Sequence, residues 1–197
     1  MSEPIEFFFD FRSPYSYLAH TQLGGLGVGV TLRPFDVLKA MKLVDNVPTT
    51  IISQAKGNYA GVDLGRWAKR YGVGFAPSPS TPKNSGDLCS QAVLAAGSPQ
   101  AAGAVTAAVF DAFWAQGRSL RSTTEVIDAI SAAGADTAEI ATRIEDPSVA
   151  ALLDANTREA GERGVFGAPT IFVGAEMFFG NDRLEFVREC LTAKVAA

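Results

Sequence analysis

The sequence predicts an α/β chain in which a small sheet is interrupted by a long helical block. Three observations carry this. A β-α-β pattern fills residues 5–35. From about residue 45 to 164 the apolar residues recur at helical spacing, with no convincing strand. Two short apolar strands and a helix then close the chain.

Residues 5–11, IEFFFDF, read as a strand. Aromatic side chains suit a pleated surface, and a run that is apolar on nearly both faces belongs inside a sheet. Ser13 is placed as a helix N-cap and Pro14 fits the first helical position. Tyr17, Leu18 and Leu23 continue that helix, and Gly24-Gly25 ends it. Residues 28–35, VGVTLRPF, form a second strand, and a parallel crossover between the two is expected to be right-handed. The period then changes: Leu64, Trp67, Ala68 and Tyr71 share a helical face, as do Val105, Val109 and Phe113. Thr123 is expected to cap a helix bearing Val126, Ile127 and Ile130. Asp136 and Glu139 have capping-box spacing, and Asp146-Pro147 opens a helix expected to run to Gly164. The proline- and serine-rich stretch 76–86 is a loop. Residues 170–174 and 176–179 read as a hairpin across Gly174-Ala175, and a last helix starts near Asn181-Asp182. Without the block, β-α-β followed by β-β-α is the thioredoxin arrangement. The expected fold is thus a thioredoxin-like domain of residues 1–40 and 165–197, carrying a large all-helical insertion of residues 41–164.

The composition narrows the functions. The chain has 197 residues, 47% of them hydrophobic, and no apolar run long enough to cross a membrane. Its first residues, MSEPIE, lack the pattern of a secretory signal. A net charge of −4 without a basic block argues against nucleic acid and anionic membranes as partners. Cys89 and Cys190 are far apart, so neither a redox pair nor a zinc motif is present, and a reducing cytoplasm fits. His20 is the only histidine. That weighs against a multi-histidine metal site and against a Ser-His-Asp triad, unless His20 itself serves.

Three segments, FDFRSPYSYLA, GVFGAPTIFVG and MFFGNDRLEFV, together with VDLGRWAKRYGV in the helical block, resemble the 2-hydroxychromene-2-carboxylate isomerase family. That family is similar to kappa-class glutathione transferases and, more distantly, to DsbA-like oxidoreductases. The resemblance implies a glutathione-dependent isomerase acting on a small aromatic substrate in naphthalene-type degradation, cytoplasmic and allowing a homodimer. A kappa-type transferase or peroxidase is the alternative, and a thioredoxin-fold module that only binds peptides is a third reading.

Both positions where a thioredoxin-like chain would keep its Cys-x-x-Cys are serine, Ser13 and Ser16. Ser13 reads first as a cap for free backbone N–H groups. A serine without a neighbouring base is a poor nucleophile, and the resemblance implies another use: hydrogen bonding to the sulfur of bound glutathione at a helix N-terminus. Ser16 reads as structural. Arg12 is either a solvated strand-end residue or a holder of anions at the pocket mouth. Asp10 either accepts backbone hydrogen bonds or relays protons. Trp67, Phe110, Phe113 and Trp114 are core residues, some of which line an apolar slot if an aromatic substrate binds.

Pro169 is ordinary turn chemistry before a strand; the resemblance implies a cis Ala168-Pro169 bond, with the Ala168 backbone pairing antiparallel to the cysteinyl part of glutathione. Phe179, Gly180, Asn181 and Asp182 open the last helix. They cap it, or they hold the γ-glutamyl end, backbone N–H groups taking the carboxylate and Asp182 the ammonium. The resemblance also implies Lys42 as a glutathione contact, with Thr49 or Thr50 nearest the position where the family often has an asparagine and Thr50 taken as the contact, and Asn84 as a substrate contact; no metal ligand is expected.

Overall fold

The computed structural model describes residues 4–196. Four strands form one sheet in the order β2-β1-β3-β4: β1 (Ile5–Phe9), β2 (Val30–Pro34), β3 (Thr170–Val173) and β4 (Glu176–Phe179). β1 runs parallel to β2, with Phe7 opposite Leu32, and antiparallel to β3, with Phe7 opposite Ile171. The hairpin pairs Thr170 with Phe179. Helix α1 (Pro14–Leu23) makes the crossover from β1 to β2, and α10 (Leu184–Ala196) follows the hairpin through a 3₁₀ turn at Asn181–Arg183.

Between the two halves lie α2 (Val37–Leu43), α3 (Thr49–Ile52), α4 (Gln54–Tyr71), α5 (Gly86–Leu94), α6 (Pro99–Phe110), α7 (Thr123–Ala132), α8 (Ala138–Arg143) and α9 (Pro147–Glu162), with a π turn at Asp111–Ala115. Most starts follow the expected cap chemistry. Two caps differ. Ser122, not Thr123, caps α7, in a reciprocal box with Glu125. Thr137 occupies the cap position of α8, while Asp136 accepts from Ala138 N at 3.0 Å. The α9 start matches: Asp146 accepts from Ser148 N, Pro147 is the first helical residue, and the helix ends at Glu162.

The phenylalanine run sorts by strand alternation. Phe7 and Phe9, with Phe11 beyond the strand, join one large core with Phe110, Phe113 and Trp114 from the helical block and Val187 from α10. Phe8 points the other way, into a smaller core with Phe35, Ala160, Val165 and Phe172. Helix α9, inside the stretch 41–164, therefore supports the sheet directly. One buried core runs from the sheet into the helices, so the strand ends and the helical wall hold a fixed geometry around the cleft between them.

Candidate active site

The start of α1 sets the site. Ser13 has an extended backbone and caps the helix, its Oγ accepting from Ser16 N at 3.2 Å. The same Oγ donates to the carbonyl of Ala168 at 3.0 Å. Ala168-Pro169 is cis, as the resemblance implies. Pro169 O accepts from Gly180 N at 3.0 Å, which ties the proline loop to the start of the terminal helix segment. Gly180 has φ +100°, where a side chain would be strained, and a Cβ there would lie 2.6 Å from Asp182 Oδ1. The Ala168 N–H has no intramolecular partner among the described residues.

These groups open into one cleft of about 1190 Å³ between the strand ends and the helical wall. Of the residues predicted from sequence, Ser13, Thr50, Ala168, Pro169, Phe179, Gly180, Asn181 and Asp182 all line it. Two do not. Lys42 is exposed and lies outside the lining, although Met41 beside it faces in: one residue of α-helix turns the side chain by about 100°. Asn84 is buried and committed to structure. Its Nδ2 donates to Arg118 O at 3.0 Å and its Oδ1 accepts from Leu120 N at 2.9 Å, so its amide braces the segment after the π turn rather than facing a ligand.

The far wall is aromatic. Trp67, Phe113 and Trp114 reach the cleft, while Phe110 stays in the core. Trp114 is fixed by Nε1 donating to Phe11 O at 2.8 Å and by stacking on Phe75. Tyr15, Asn46 and Asp63 also line the cleft, and sequence reasoning missed all three. Tyr15 donates its hydroxyl to Asp63 at 3.1 Å; burial and this bond raise its pKa, so it stays protonated. Asn46 Nδ2 donates to Phe166 O at 2.7 Å and joins the α2–α3 loop to the proline loop. For Asp63 a signal was present: Ala60, Asp63, Leu64 and Trp67 share one face at helical spacing.

The remaining candidates resolve into structural roles or new ones. Asp10, fully buried, accepts from Arg12 N at 2.8 Å and Val37 N at 3.0 Å, and so anchors backbone. Arg12 lines the cleft, partly exposed, and is clamped there by Asp10 and Asp36. Burial works against its charge, but the hydrogen bond to Asp10 and the surrounding carboxylates outweigh it and hold the guanidinium protonated. Ser16 is fully buried and its Oγ has no partner. His20 lies against Phe110 at 5.2 Å between ring centroids, and burial lowers its pKa to about 4. It makes no hydrogen bond with Ser13, so no Ser-His relay exists. Cys89 and Cys190 are unpaired, and burial pushes the Cys89 thiol up.

A helix start bearing a polar cap, set against a cis-proline loop at the end of a mixed sheet, defines the thioredoxin class. Sequence comparison agrees: residues 4–192 match the DSBA-like thioredoxin domain, and the chain belongs to that family, within it to the 2-hydroxychromene-2-carboxylate isomerases. It is 34% identical over 196 residues to the 2-hydroxychromene-2-carboxylate isomerase of Sphingobium xenophagum, covering 97% of this chain and 99% of that one. A solved structure of a 2-hydroxychromene-2-carboxylate isomerase superposes with a TM-score of 0.87 at 29% identity, covering 98% of this chain and 96% of that one. Glutathione S-transferase kappa 1 of Caenorhabditis elegans is more distant, at 26% identity over 95% of this chain and 90% of its own.

Proposed function

We propose that the protein is a glutathione-dependent cis-trans isomerase that interconverts 2-hydroxychromene-2-carboxylate and trans-o-hydroxybenzylidenepyruvate in the breakdown of naphthalene-type aromatics. One observation carries this reading: a single cleft joins the Ser13–Ala168 corner to the aromatic wall of Trp67, Phe113 and Trp114. Its volume of about 1190 Å³ exceeds the roughly 300–1,000 Å³ of an ordinary small-molecule pocket, which supports two ligands side by side.

The residues present fit glutathione. The unpaired Ala168 N–H and the Ala168 carbonyl form the short edge that an extended cysteinyl unit pairs with. Asp182, with backbone N–H groups at the start of the terminal helix segment, suits a group bearing both an ammonium and a carboxylate; Phe179, Gly180 and Asn181 shape that end, and Thr50 faces the same space. Glutathione held there by Ser13, Ala168 and Asp182 would supply a thiolate that serves as both nucleophile and leaving group, so it would not be consumed.

Ser13 has the central role. Its hydroxyl donates to Ala168 O. A ligand N–H on Ala168 O would compete with the Ser13 hydroxyl for that oxygen, which favours the hydroxyl turning toward the sulfur. A free thiol has a pKa of about 8.5, and lowering it by two units takes about 2.7 kcal/mol of preferential thiolate stabilisation. A hydrogen bond to a charged group, about 1.5–3 kcal/mol, plus the α1 terminus, about 0.3–1 kcal/mol, supplies that amount.

The match to a kappa transferase favours one alternative, a transferase or peroxidase that consumes thiol. Incubation of the chromene with a small amount of glutathione separates the two: many turnovers at constant total thiol are expected, whereas thiol loss in proportion to product contradicts the isomerase reading. A cytoplasmic location belongs to the same proposal, supported by the unpaired cysteines. So does a homodimer, supported by the exposed apolar side chains of Ile51, Ile52, Tyr59 and Val62.

A further inference from the structure

Arg12 is the one basic residue among the described residues that line the cleft, and it stands directly before Ser13. Its guanidinium is engaged along one edge. Nε donates to Asp10 Oδ1 at 2.9 Å, and Nη2 donates to Asp10 Oδ2 at 2.6 Å. Nη2 also lies 3.0 Å from Asp36 and 3.8 Å from Asp87. Nη1 has no partner among the described residues. The clamp is itself fixed: Asp10 accepts from Val37 N, and Asp36 accepts from Leu38 N and Lys39 N. Room for the guanidinium is built into α5, where a Cβ on Gly86 would lie 2.6 Å from Arg12 Nε. Arg12 is therefore a rigid donor with one edge held and one edge open.

Three carboxylates hold one guanidinium in place, so Nη1 is a charged N–H donor of fixed direction. We propose that Arg12 Nη1 donates to the ketone oxygen of the ring-opened substrate and stabilises the negative charge that grows there during isomerisation. This rests on the isomerase reading above. When a thiolate sulfur bonds to the carbon beside the aromatic ring, the carbon–carbon π pair shifts to become the enolate double bond and the carbonyl π pair moves to the ketone oxygen, leaving a single bond free to rotate. When the oxygen's pair re-forms the carbonyl, the enolate pair re-forms the original double bond and the carbon–sulfur bond breaks, releasing the thiolate. Arg12 keeps all its protons throughout, secured by Asp10 and Asp36, and so acts as a preorganised donor rather than an acid.

Absorbance titration without glutathione tests this, using benzylidenepyruvate and benzylideneacetone as probes. They share the conjugated ketone and differ in the carboxylate. Both are expected to shift to longer wavelength on binding the wild type. Arg12→Lys is expected to abolish the shift and weaken both probes about tenfold. A loss confined to the carboxylated probe, or no change with either, overturns the proposal. Because Arg12→Lys unsettles a buried clamp, Asp87→Asn is the second variant: it removes the outermost, partly exposed carboxylate and is expected to enlarge the shift and tighten both probes about twofold or more. An unchanged spectrum there also overturns the proposal. Failure of the glutathione reading shows separately, as the absence of a thiolate band in the wild type.

Discussion

Ser13 and Ser16 are three positions apart at the start of one helix, yet their surroundings differ completely. Ser13 faces the cleft, accepts from the helix and donates to Ala168. Ser16 is sealed in the core with its hydroxyl unpartnered. The difference comes from a helix start meeting a second chain segment: the cap position looks out at the cis-proline loop, and the first turn looks in at the sheet. With serine at both positions, one hydroxyl therefore meets the cleft and the other does not, and the first is bonded to the Ala168 carbonyl.

The largest expected break in this asymmetry is Ser13→Ala. Losing a hydrogen bond to a charged sulfur is expected to lower the ionisation constant of the bound glutathione thiol by about 10- to 100-fold, read by titrating the bound thiol. Next comes ligand dependence. Mercaptoethanol has no amide N–H to take over Ala168 O, so it is expected to show at least about tenfold less thiolate stabilisation than glutathione; equal ionisation of the two thiols would contradict the coupling between Ser13 and Ala168. Ser16→Ala is expected to leave the thiolate unchanged and to raise stability by about 1 kcal/mol, since it removes an unsatisfied buried hydroxyl, as measured by denaturant unfolding.

His20 gives the smallest effect on the thiolate, none, but a defined one on stability. Its pKa falls from 6.5 to about 4 on burial, so below pH 6.5 the unfolded chain takes up a proton that the folded chain refuses. Stability therefore falls as the pH drops from 6.5 toward 4, by up to about 3 kcal/mol. His20→Leu is expected to flatten that limb of the pH–stability curve while leaving the thiolate band intact.

What the sequence disclosed follows the range of the interactions. Ser13-Pro14 and the hairpin strands rest on local chemistry, and the structure places them within a residue or two of expectation. The Ser122 cap was one residue off because two threonines and a serine in a row offer equivalent oxygens to the same turn. The Arg12 clamp gathers carboxylates from positions 10, 36 and 87, and the Tyr15–Asp63 and Asn46–Phe166 bonds join segments 48 and 120 residues apart. No periodicity signals such pairings. Lys42 and Asn84 lie in stretches whose register the sequence does not fix, and there a slip of one residue on a helix, or one competing backbone partner, decides whether a side chain meets the cleft.

The most direct measurement is the thiolate absorbance near about 240 nm when glutathione is mixed at neutral pH with the wild type and with Ser13→Ala. A band in the wild type that the variant loses is the expected result. A wild type that binds glutathione without any band, or a Ser13→Ala variant that keeps it in full, would contradict the role given to Ser13.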